Sequence, residues 1–484
     1  MRVLIANRGE ITVRIERTLR DLGFESVAVF SEPDRKALHV INSDYAVEIG
    51  GDTPSTSYLD IGKIIWAARK SGADMIHPGY GFLSERPEFA YEVERHGIIF
   101  IGPDSEAMRL AGDKVEARKI AAKSGIPLLE GTDSIDDVNV AVELARGIGY
   151  PLMIKAAAGG GGKGMRIVRN EEELRELFPI ASAEALSAFG DGRVYLERLV
   201  LNPHHVEVQI IADKYGNVYA LGERECSLQR RHQKFIEESP SPIIDEKTRK
   251  DIMEAAREFA RAIGYTNAGT VEFLYDEDRN RFYFLEMNAR LQVEHPVTEM
   301  RTSLDLVALQ VKVALGNKLN LEDVEFRGYA IEARINAEDP YEDFSPSSGR
   351  IEFLQEPSGP FIRVDSGIYE GYEVPIFYDP ILSKVIAYGN TREEARKRLL
   401  RALREYKIFG IRTNIPYLIK VLESEPFVSG RYTTNFAKDF QFAPEYPEYL
   451  VKLAATYEIK KPIKSKGDSV VKSLWKLYKD YSEF

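Results

Sequence analysis

The N-terminal quarter of the chain alternates short apolar runs with segments of helical periodicity, and this pattern constrains the fold most strongly. Residues 3–5 form the first run, and the next segment repeats apolar residues at helical spacing until Gly23. A second buried run covers 26–30. Such alternation predicts a parallel sheet with helices on its faces. The first turn reads NRGE at 7–10 instead of GxGxxG, which argues against a nicotinamide-binding fold.

Composition excludes several classes of protein. The 484 residues correspond to about three domains, and a formal net charge of −11 argues against a nucleic-acid-binding protein. The single cysteine, Cys226, excludes an intrachain disulfide, and we interpret it as a packing residue. Apolar runs stay below the ~18 residues that a membrane helix needs, so we expect no membrane association. Because the chain starts in a predicted strand, we expect no signal peptide and a cytoplasmic enzyme.

Two further regions mix helices with strands. From residue 113 the pattern predicts two helices and a strand, at 115–124, 135–147 and 151–156. The last region is predicted to contain five strands and a late helix, at 206–212, 218–223, 270–275, 281–288, 330–336 and 392–403.

Four consecutive glycines, 159–162, precede Lys163 and Gly164. Their backbone N–H groups can surround a phosphate, because no Cβ atom stands in the way. The run is not a Walker A loop, since 165–168 reads as a strand and not as a helix. We therefore predict a hairpin loop that closes as a lid over a nucleotide, the alternative being a flexible surface turn. Two lysines, Lys114 and Lys155, favour the phosphate interpretation.

A predicted hairpin carries a set of oxygen ligands. Its strands, 269–274 and 282–288, are joined by a polar turn. Side chains alternate along a strand, so Glu286 and Asn288 share one face, and pairing with Glu272 would complete a site suited to Mg²⁺. The same alternation predicts that Phe282 and Phe284 share that face. The alternative is a polar face turned toward solvent.

Three other features carry charge. Arg290, Gln292 and Glu294 continue the spacing of two residues, which suits an arginine that holds a planar oxyanion beside a base, and equally a salt-bridged loop. The basic segment 229–234 (QRRHQK) is better suited to neutralising a triphosphate than to binding RNA. Nothing local distinguishes Arg334 from a structural ion pair.

Together these motifs resemble those of biotin carboxylases in the ATP-grasp superfamily. The resemblance covers about residues 1–445 and rests on long motifs in one order, namely 5–10 (IANRGE), 77–85 (HPGYGFLSE), 112–114 (GDK), the glycine run, 229–234 (QRRHQK), 286–290 (EMNAR), 292–300 (QVEHPVTEM) and 332–340 (EARINAEDP). It implies an α/β fold, α+β in part. A Rossmann-like parallel-sheet domain would be followed by an ATP-grasp fold with a mobile lid, a mixed α+β C-terminal domain and a basic extension. These parts would span 1–112, 113–330 with the lid at 131–202, 331–446 and 447–484.

The resemblance also implies a role for individual residues. The residues matched to ATP binding are Lys114, Lys155, Gly160, Gly161, Gly162, Glu197, Val200, His205, Gln229, His232 and Lys234. Those matched to Mg²⁺ or Mn²⁺ are Glu272, Glu286 and Asn288, and those matched to bicarbonate are Arg290, Gln292 and Val293. The catalytic set is Arg290, Glu294 as general base, Arg334 as the group that stabilises the biotin enolate, and Lys234. Arg334 and Tyr80 are matched to biotin. Departures are small: Ala158, Lys163 and Ala289 stand where many members have glycine, arginine and threonine.

The implied activity is ATP- and bicarbonate-dependent carboxylation of biotin through carboxyphosphate. No Met-Lys-Met biotin-attachment site occurs in the sequence, so the implied partners are a separate biotin carboxyl carrier protein and a carboxyltransferase subunit. The family is typically homodimeric. The carboxyl acceptor, whether acetyl-CoA, propionyl-CoA or pyruvate, stays open. The alternatives are another ATP-grasp carboxylate–amine ligase and a non-catalytic ATP-binding scaffold of a carboxylase complex.

The C-terminal segment 451–484 differs in composition, with eight lysines and four acidic residues. Its apolar residues fall on one helical face, namely Val470, Val471, Leu474, Leu477, Tyr478 and Tyr481. This pattern predicts a helix that packs on its own protein or docks on a partner subunit.

Overall fold

The computed structural model describes residues 1–157, 165–231 and 233–443. The tip of the predicted glycine lid with Gly160, Gly161 and Gly162, the predicted ATP ligand His232, and the predicted C-terminal helix therefore lie outside the described residues. Residues Met1–Phe440 form one structural unit. No helix in its described part combines the length and the apolar character that a membrane-spanning segment requires.

A five-stranded parallel sheet with strand order β3-β2-β1-β4-β5 forms the N-terminal region, as the alternation predicts. Its strands are β1 Arg2–Ile5, β2 Glu25–Phe30, β3 Tyr45–Glu48, β4 Met75–His77 and β5 Ile99–Phe100. The helices are α1 Gly9–Asp21, α2 Leu38–Asn42, α3 Ile61–Ser71, α4 Pro87–Arg95 and α5 Ser105–Gly112. Residues 3–5 are fully buried in the central strand, which explains why this run contains no polar residue.

A smaller antiparallel sheet with order β7-β6-β8 follows, and two helices cover it. The elements are α6 Lys114–Lys123, α7 Val138–Ile148, β6 Leu152–Ala156, β7 Arg166–Val168, α8 Glu171–Phe189 and β8 Val194–Arg198. Strands β6 and β7 pair antiparallel, with Leu152 opposite Val168. This pairing confirms the predicted hairpin around the glycine run, whose tip is outside the described residues.

An eight-stranded sheet with order β13-β12-β9-β10-β11-β14-β21-β19 positions the candidate site. Its first strands and the accompanying helices are β9 His204–Ala212, β10 Val218–Arg230, β11 Gln233–Ser239, α9 Glu246–Ala262, β12 Asn267–Asp276, β13 Arg281–Asn288, α10 His295–Thr302, α11 Leu306–Ala314 and β14 Tyr329–Asn336. The strand predicted at 218–223 extends to Arg230, so the predicted basic segment 229–234 lies at the turn between β10 and β11.

The C-terminal region completes this sheet and adds short peripheral strands and helices. Its elements are β15 Glu338–Asp339, β16 Ser345–Pro346, β17 Gly349–Arg350, β18 Phe353–Gln355, β19 Ile362–Ser366, β20 Glu373–Val374, β21 Ile381–Gly389, α12 Arg392–Glu405, β22 Lys407–Phe409, α13 Ile415–Glu423, α14 Glu425–Ser429 and α15 Phe436–Asp439. Strand β21 pairs with both β14 and β19, so residues far apart in the sequence share one sheet.

The two faces of the large sheet differ in chemistry. On one face, apolar side chains of β9 and β12 pack with α9 in a core that includes Val206, Val208, Phe273 and Phe259. On the other face, charged residues stand directly opposite one another across neighbouring strands, in the order Arg224, Glu207, Glu272 and Glu286. Directly opposed side chains in a sheet lie close together, so the strand register alone assembles a row of charges.

Candidate active site

The ammonium of Lys234 lies among three buried carboxylates. Its Nζ atom is 2.6 Å from Glu207 Oε2, 2.6 Å from Glu294 Oε1 and 3.3 Å from Glu272 Oε1. Burial alone would lower the pKa of Lys234, but the surrounding acidic groups raise it well above its usual value. Lys234 is therefore a permanent cation at the centre of the site. It joins β11 to β9, β12 and the start of α10.

Glu294 lies between two cations. Lys234 holds one carboxylate oxygen, and Arg334 Nη2 donates to the other at 2.9 Å. Burial would raise the pKa of Glu294, but Lys234 and Arg334 hold it well below its usual range. The side chain is thus an ionised carboxylate at neutral pH. The residue occupies the position just before the first turn of α10, and its side chain makes no capping hydrogen bond there.

Two residues that the sequence analysis missed, Arg224 and Glu207, complete this cluster. Arg224 is fully buried, and its guanidinium donates to Glu207 Oε1 at 2.5 Å and to Gln209 Oε1 at 2.7 Å. Glu207 in turn accepts from Lys234. The signal available in the sequence was a polar residue at every second position of an otherwise apolar strand, namely His205, Glu207 and Gln209.

The carboxylate hairpin forms, and its strands place Glu272 opposite Glu286 and Thr270 opposite Asn288. The predicted position of the two phenylalanines is wrong. A β-bulge next to the Glu272–Glu286 pair places Phe284 opposite Phe273, so Phe282 and Phe284 lie on the other face and pack in the apolar core. The extra residue of a bulge breaks the period of two on which the prediction rested.

The predicted metal ligands share one face and contact other charged groups. Asn288 Nδ2 donates to Glu272 Oε1 at 2.8 Å, and Lys114 Nζ is 2.9 Å from Glu286 Oε2. His205 Nε2 lies 3.0 Å from Glu272 Oε2. Two carboxylates and an amide on neighbouring strands are hard oxygen donors, so this set fits Mg²⁺.

Two further groups of side chains bring possible ligand atoms close together. The ligand atoms of His205, Glu207 and Glu272 lie within 4.8 Å of one another, as do those of Glu207, Cys226 and Glu294. Lys234 contacts all three of these glutamates, so one ammonium group supplies a counter-charge to both groups. Glu272 therefore belongs both to the hairpin face and to the surroundings of Lys234.

A turn connects β13 to α10 and carries Arg290 and Gln292. The strand ends at Asn288, so the predicted spacing of two does not continue into 290–294. The structure still brings two of the predicted residues together, since Arg290 Nη1 donates to Gln292 Oε1 at 2.9 Å. Arg290 Nε also donates to Glu85 Oε2 at 2.8 Å, and Glu85 was not among the predicted site residues.

Arg334 lies in β14 and bridges two acids. Its Nε donates to Glu237 Oε1 at 2.6 Å, and the Nη2 atom that contacts Glu294 also lies 2.6 Å from the same Glu237 oxygen. Burial raises the pKa of Glu237 to about 7. Glu332, directly opposite Glu237, is buried without a hydrogen-bond partner in the described part of the chain, and burial raises its pKa well above the usual value. Arg334 is therefore both an ion-paired residue and a neighbour of the candidate base.

The remaining predicted residues lie at the edges of the site. Lys155 and Arg118 both contact the buried Glu197 carboxylate, and Val200 follows β8 in a loop. Gln229 Nε2 is 2.7 Å from His205 Nδ1. The Tyr80 hydroxyl donates to Glu10.

Cys226 lies beside the candidate base without the properties of a nucleophile. Its Sγ is 3.8 Å from Glu294 Oε1, and burial raises the pKa of the thiol well above its ordinary value. A buried, protonated thiol agrees with its interpretation as a packing residue.

Three family models match the chain. They are "Biotin carboxylase, N-terminal domain" over residues 1–108, "Carbamoyl-phosphate synthase L chain, ATP binding domain" over residues 113–322, and "Biotin carboxylase C-terminal domain" over residues 332–439.

Relatives of high identity cover most of the chain. Biotin carboxylase 1 of Bacillus subtilis is 51% identical over 442 residues, which are 91% of this chain and 98% of the relative. The propionyl-CoA carboxylase alpha chain of Ruegeria pomeroyi is 45% identical over 470 residues, with coverages of 92% and 68%. The biotin carboxylase domain dimer of Hydrogenobacter thermophilus 2-oxoglutarate carboxylase was solved with MgADP, ADP and bicarbonate. It aligns with a TM-score of 0.88 and 44% identity, over 92% of this chain and 99% of that chain.

The buried Glu225, next to the site on β10, predicts a pH-dependent stability. Burial raises its pKa to about 7, although Ser227 and Ser241 donate hydrogen bonds to its carboxylate. Between pH 4.5 and 7 the folded chain holds a proton that the unfolded chain has lost, so stability falls as pH rises. Glu225→Gln removes this titration. From pH 5 to pH 8, the free energy of unfolding of the variant should therefore rise by on the order of 3 kcal/mol relative to that of the wild type.

Thermal unfolding of both proteins at pH 5 and pH 8 measures this difference. The exposed Glu246 provides the control, since Glu246→Gln should shift the melting temperature equally at both pH values. A constant offset between wild type and Glu225→Gln would contradict the prediction.

Proposed function

The chain belongs to the biotin carboxylase family, and from this premise we propose how its own residues carry out ATP- and bicarbonate-dependent carboxylation of biotin. The observation that carries the proposal is the ionised Glu294 carboxylate between Lys234 and Arg334. It lies next to the turn in which the Arg290 guanidinium donates a hydrogen bond to Gln292. This arrangement pairs a base with the cations that a reaction between anions requires.

We assign the first step to the turn at 290–294. Arg290 and Gln292, with the backbone of Val293, would hold bicarbonate, and Glu294 would accept its proton. A bicarbonate oxygen then attacks the γ-phosphorus of ATP, forming carboxyphosphate as the bond to ADP breaks. Lys234 offsets the negative charge of these reactants, and that charge is effective because only 12% of the side chain is exposed.

The hairpin and the small sheet would bind the nucleotide. Lys114, Lys155, Gln229, His205, Glu197 and Val200 form the proposed ATP set, together with Gly160, Gly161, Gly162 and His232 outside the described residues. Glu272, Glu286 and Asn288 would hold Mg²⁺, which neutralises phosphate charge when bound. For this to occur, Lys114 and His205 must share or release the two glutamates that they now contact.

The second step is assigned to Arg334. Carboxyphosphate breaks down to CO₂ and phosphate, and that phosphate can take the N1 proton of biotin. Arg334 would stabilise the resulting enolate oxygen, and the enolate then captures CO₂ to give carboxybiotin. Tyr80 would contact biotin. Water exclusion matters here because the intermediate is labile.

The proposal includes separate partners. Biotin would arrive on a biotin carboxyl carrier protein, and a carboxyltransferase subunit would use the product. The final acceptor depends on that transferase, since the relatives above are named for different carboxylases. A homodimer and the domain limits 1–112, 113–330, 331–446 and 447–484 are part of the same proposal.

ADP release from Mg-ATP tests the activity, with bicarbonate and free biotin each omitted in turn. We expect full release only when both are present, because bicarbonate is the attacking group and biotin removes its product. Should free biotin be a poor substrate, biotinylated carrier protein replaces it in the same design. Release that ignores bicarbonate would contradict the proposal and favour another ATP-grasp ligase.

The Glu294→Gln variant tests the base. It should lower bicarbonate-dependent turnover by ~10² or more, the usual size of a general-base contribution, while ATP binding is retained. Glu238→Gln is a matched control, since Glu238 is equally buried in the same sheet but pairs with Arg392. Turnover near that of the wild type in Glu294→Gln would remove Glu294 from this role.

The Arg334→Ala variant tests the second step. Biotin-dependent turnover should fall by ~10²–10³, the usual cost of one oxyanion donor, with nucleotide affinity unchanged. Arg249→Ala, which removes an arginine paired with the buried Glu223, is the control for a lost ion pair. An effect confined to nucleotide affinity would refute the assignment of Arg334.

A further inference from the structure

Lys384 is fully buried on β21, and nothing in its local sequence marks it as a site residue. Its Nζ atom donates to the Val293 carbonyl at 2.8 Å and lies 3.3 Å from Glu10 Oε1. Glu10 belongs to α1 and is also buried. The contact therefore joins the N-terminal sheet region, the turn before α10 and the C-terminal strands.

The Val293 carbonyl belongs to the turn that carries the proposed bicarbonate ligands. Its neighbour, the Gln292 carbonyl, lies 2.8 Å from His295 Nδ1. Two consecutive peptide units of the turn are thus held by side chains. The unit held through Gln292 contains the N–H of Val293, and the unit held by Lys384 contains the N–H of Glu294.

An ammonium in this position is costly unless it is paired, and its carboxylate neighbours are Glu10 and Asp365, which stands directly opposite Lys384 on β19. The same Glu10 carboxylate accepts a hydrogen bond from the Tyr80 hydroxyl. Tyr80 lies near Lys384, whose Nζ atom is 6.0 Å from the centre of the ring. One buried ion pair therefore connects the bicarbonate turn with the residue proposed to contact biotin.

We propose that Lys384 is a positioning residue for bicarbonate, and that Glu10 keeps it in place. The inference rests on the proposed function. Lys384 fixes the peptide unit from which Glu294 begins, and so fixes the carboxylate relative to Arg290 and Gln292. Without Lys384 the turn samples other orientations, and bicarbonate loses its aligned partners. The proposed ATP ligands lie on other elements, so we expect the affinity for ATP not to depend on this lysine.

The test compares three variants of the full-length chain with the wild type. The double variant Glu10→Gln/Lys384→Met removes both charges, because removing one partner alone leaves an unpaired buried charge. The single variant Glu10→Gln keeps Lys384 and its bond to Val293. Arg392→Met is the matched control, since it breaks a buried ion pair with Glu238 in the same region of the chain, away from the turn. Initial rates of ADP release give KM for bicarbonate and for ATP, and thermal unfolding reports stability.

The double variant should raise KM for bicarbonate at least tenfold, which corresponds to about 1.4 kcal/mol, and leave KM for ATP within twofold. Glu10→Gln should raise KM for bicarbonate less, by twofold to fivefold. Arg392→Met should change stability without changing either KM. A wild-type KM for bicarbonate in the double variant would overturn the inference. If the double variant does not fold, a wild-type KM for bicarbonate in Glu10→Gln would overturn the inference. Absence of bicarbonate dependence in the wild type is the separate result that overturns the proposed function.

Discussion

The site depends on one constraint: the largely buried Lys234 ammonium lies among Glu207, Glu272 and Glu294. A buried cation requires counterions at short distance, and each of these carboxylates is buried and requires a cation. The strand register meets both demands, since Glu207 and Glu272 stand directly opposite on β9 and β12. Arg224 then satisfies the remaining oxygen of Glu207. The polar face of the sheet is therefore one mutually dependent set of charges, with an apolar face of ordinary packing behind it.

Charge balance bears on the proposed binding of anions to a face so rich in acidic groups. Glu237 and Glu332 face each other next to Arg334, and burial raises the pKa of both. When one of these two carboxyl groups is protonated, fewer carboxylates compete with a bound anion for the positive charge of Arg334. Glu294, by contrast, keeps its charge because Lys234 and Arg334 both contact it. Neighbouring acids thus take different protonation states, which depend on their nearest cations.

The sequence was sufficient to predict the parallel N-terminal sheet, the hairpin around the glycine run and the hairpin that carries Glu272 and Glu286. These features follow from local periodicity, which strand and helix geometry determine directly. The position of Phe284 was predicted wrongly, because a bulge changes the face of every later side chain and leaves no mark in the alternation of polar and apolar residues.

Other parts of the site depend on contacts between distant segments. Lys384, Glu10 and Val293 meet only after three regions fold together, and an isolated lysine in an apolar strand does not identify its partner. Arg334 was recognised through the resemblance and not through its neighbours, since its two acidic partners lie 97 and 40 residues away in the sequence. The roles assigned to the individual site residues stay predictions that the substitutions above address.

The central claim is that the ionised Glu294 and the turn before it direct a bicarbonate oxygen to the γ-phosphorus of ATP. Turnover in bicarbonate labelled with ¹⁸O, followed by mass analysis of the released phosphate, tests it directly. The account predicts one labelled oxygen in each phosphate, because the bridging oxygen of carboxyphosphate remains with phosphorus when CO₂ leaves. Phosphate without the label would show that water attacks ATP instead, and would contradict the account.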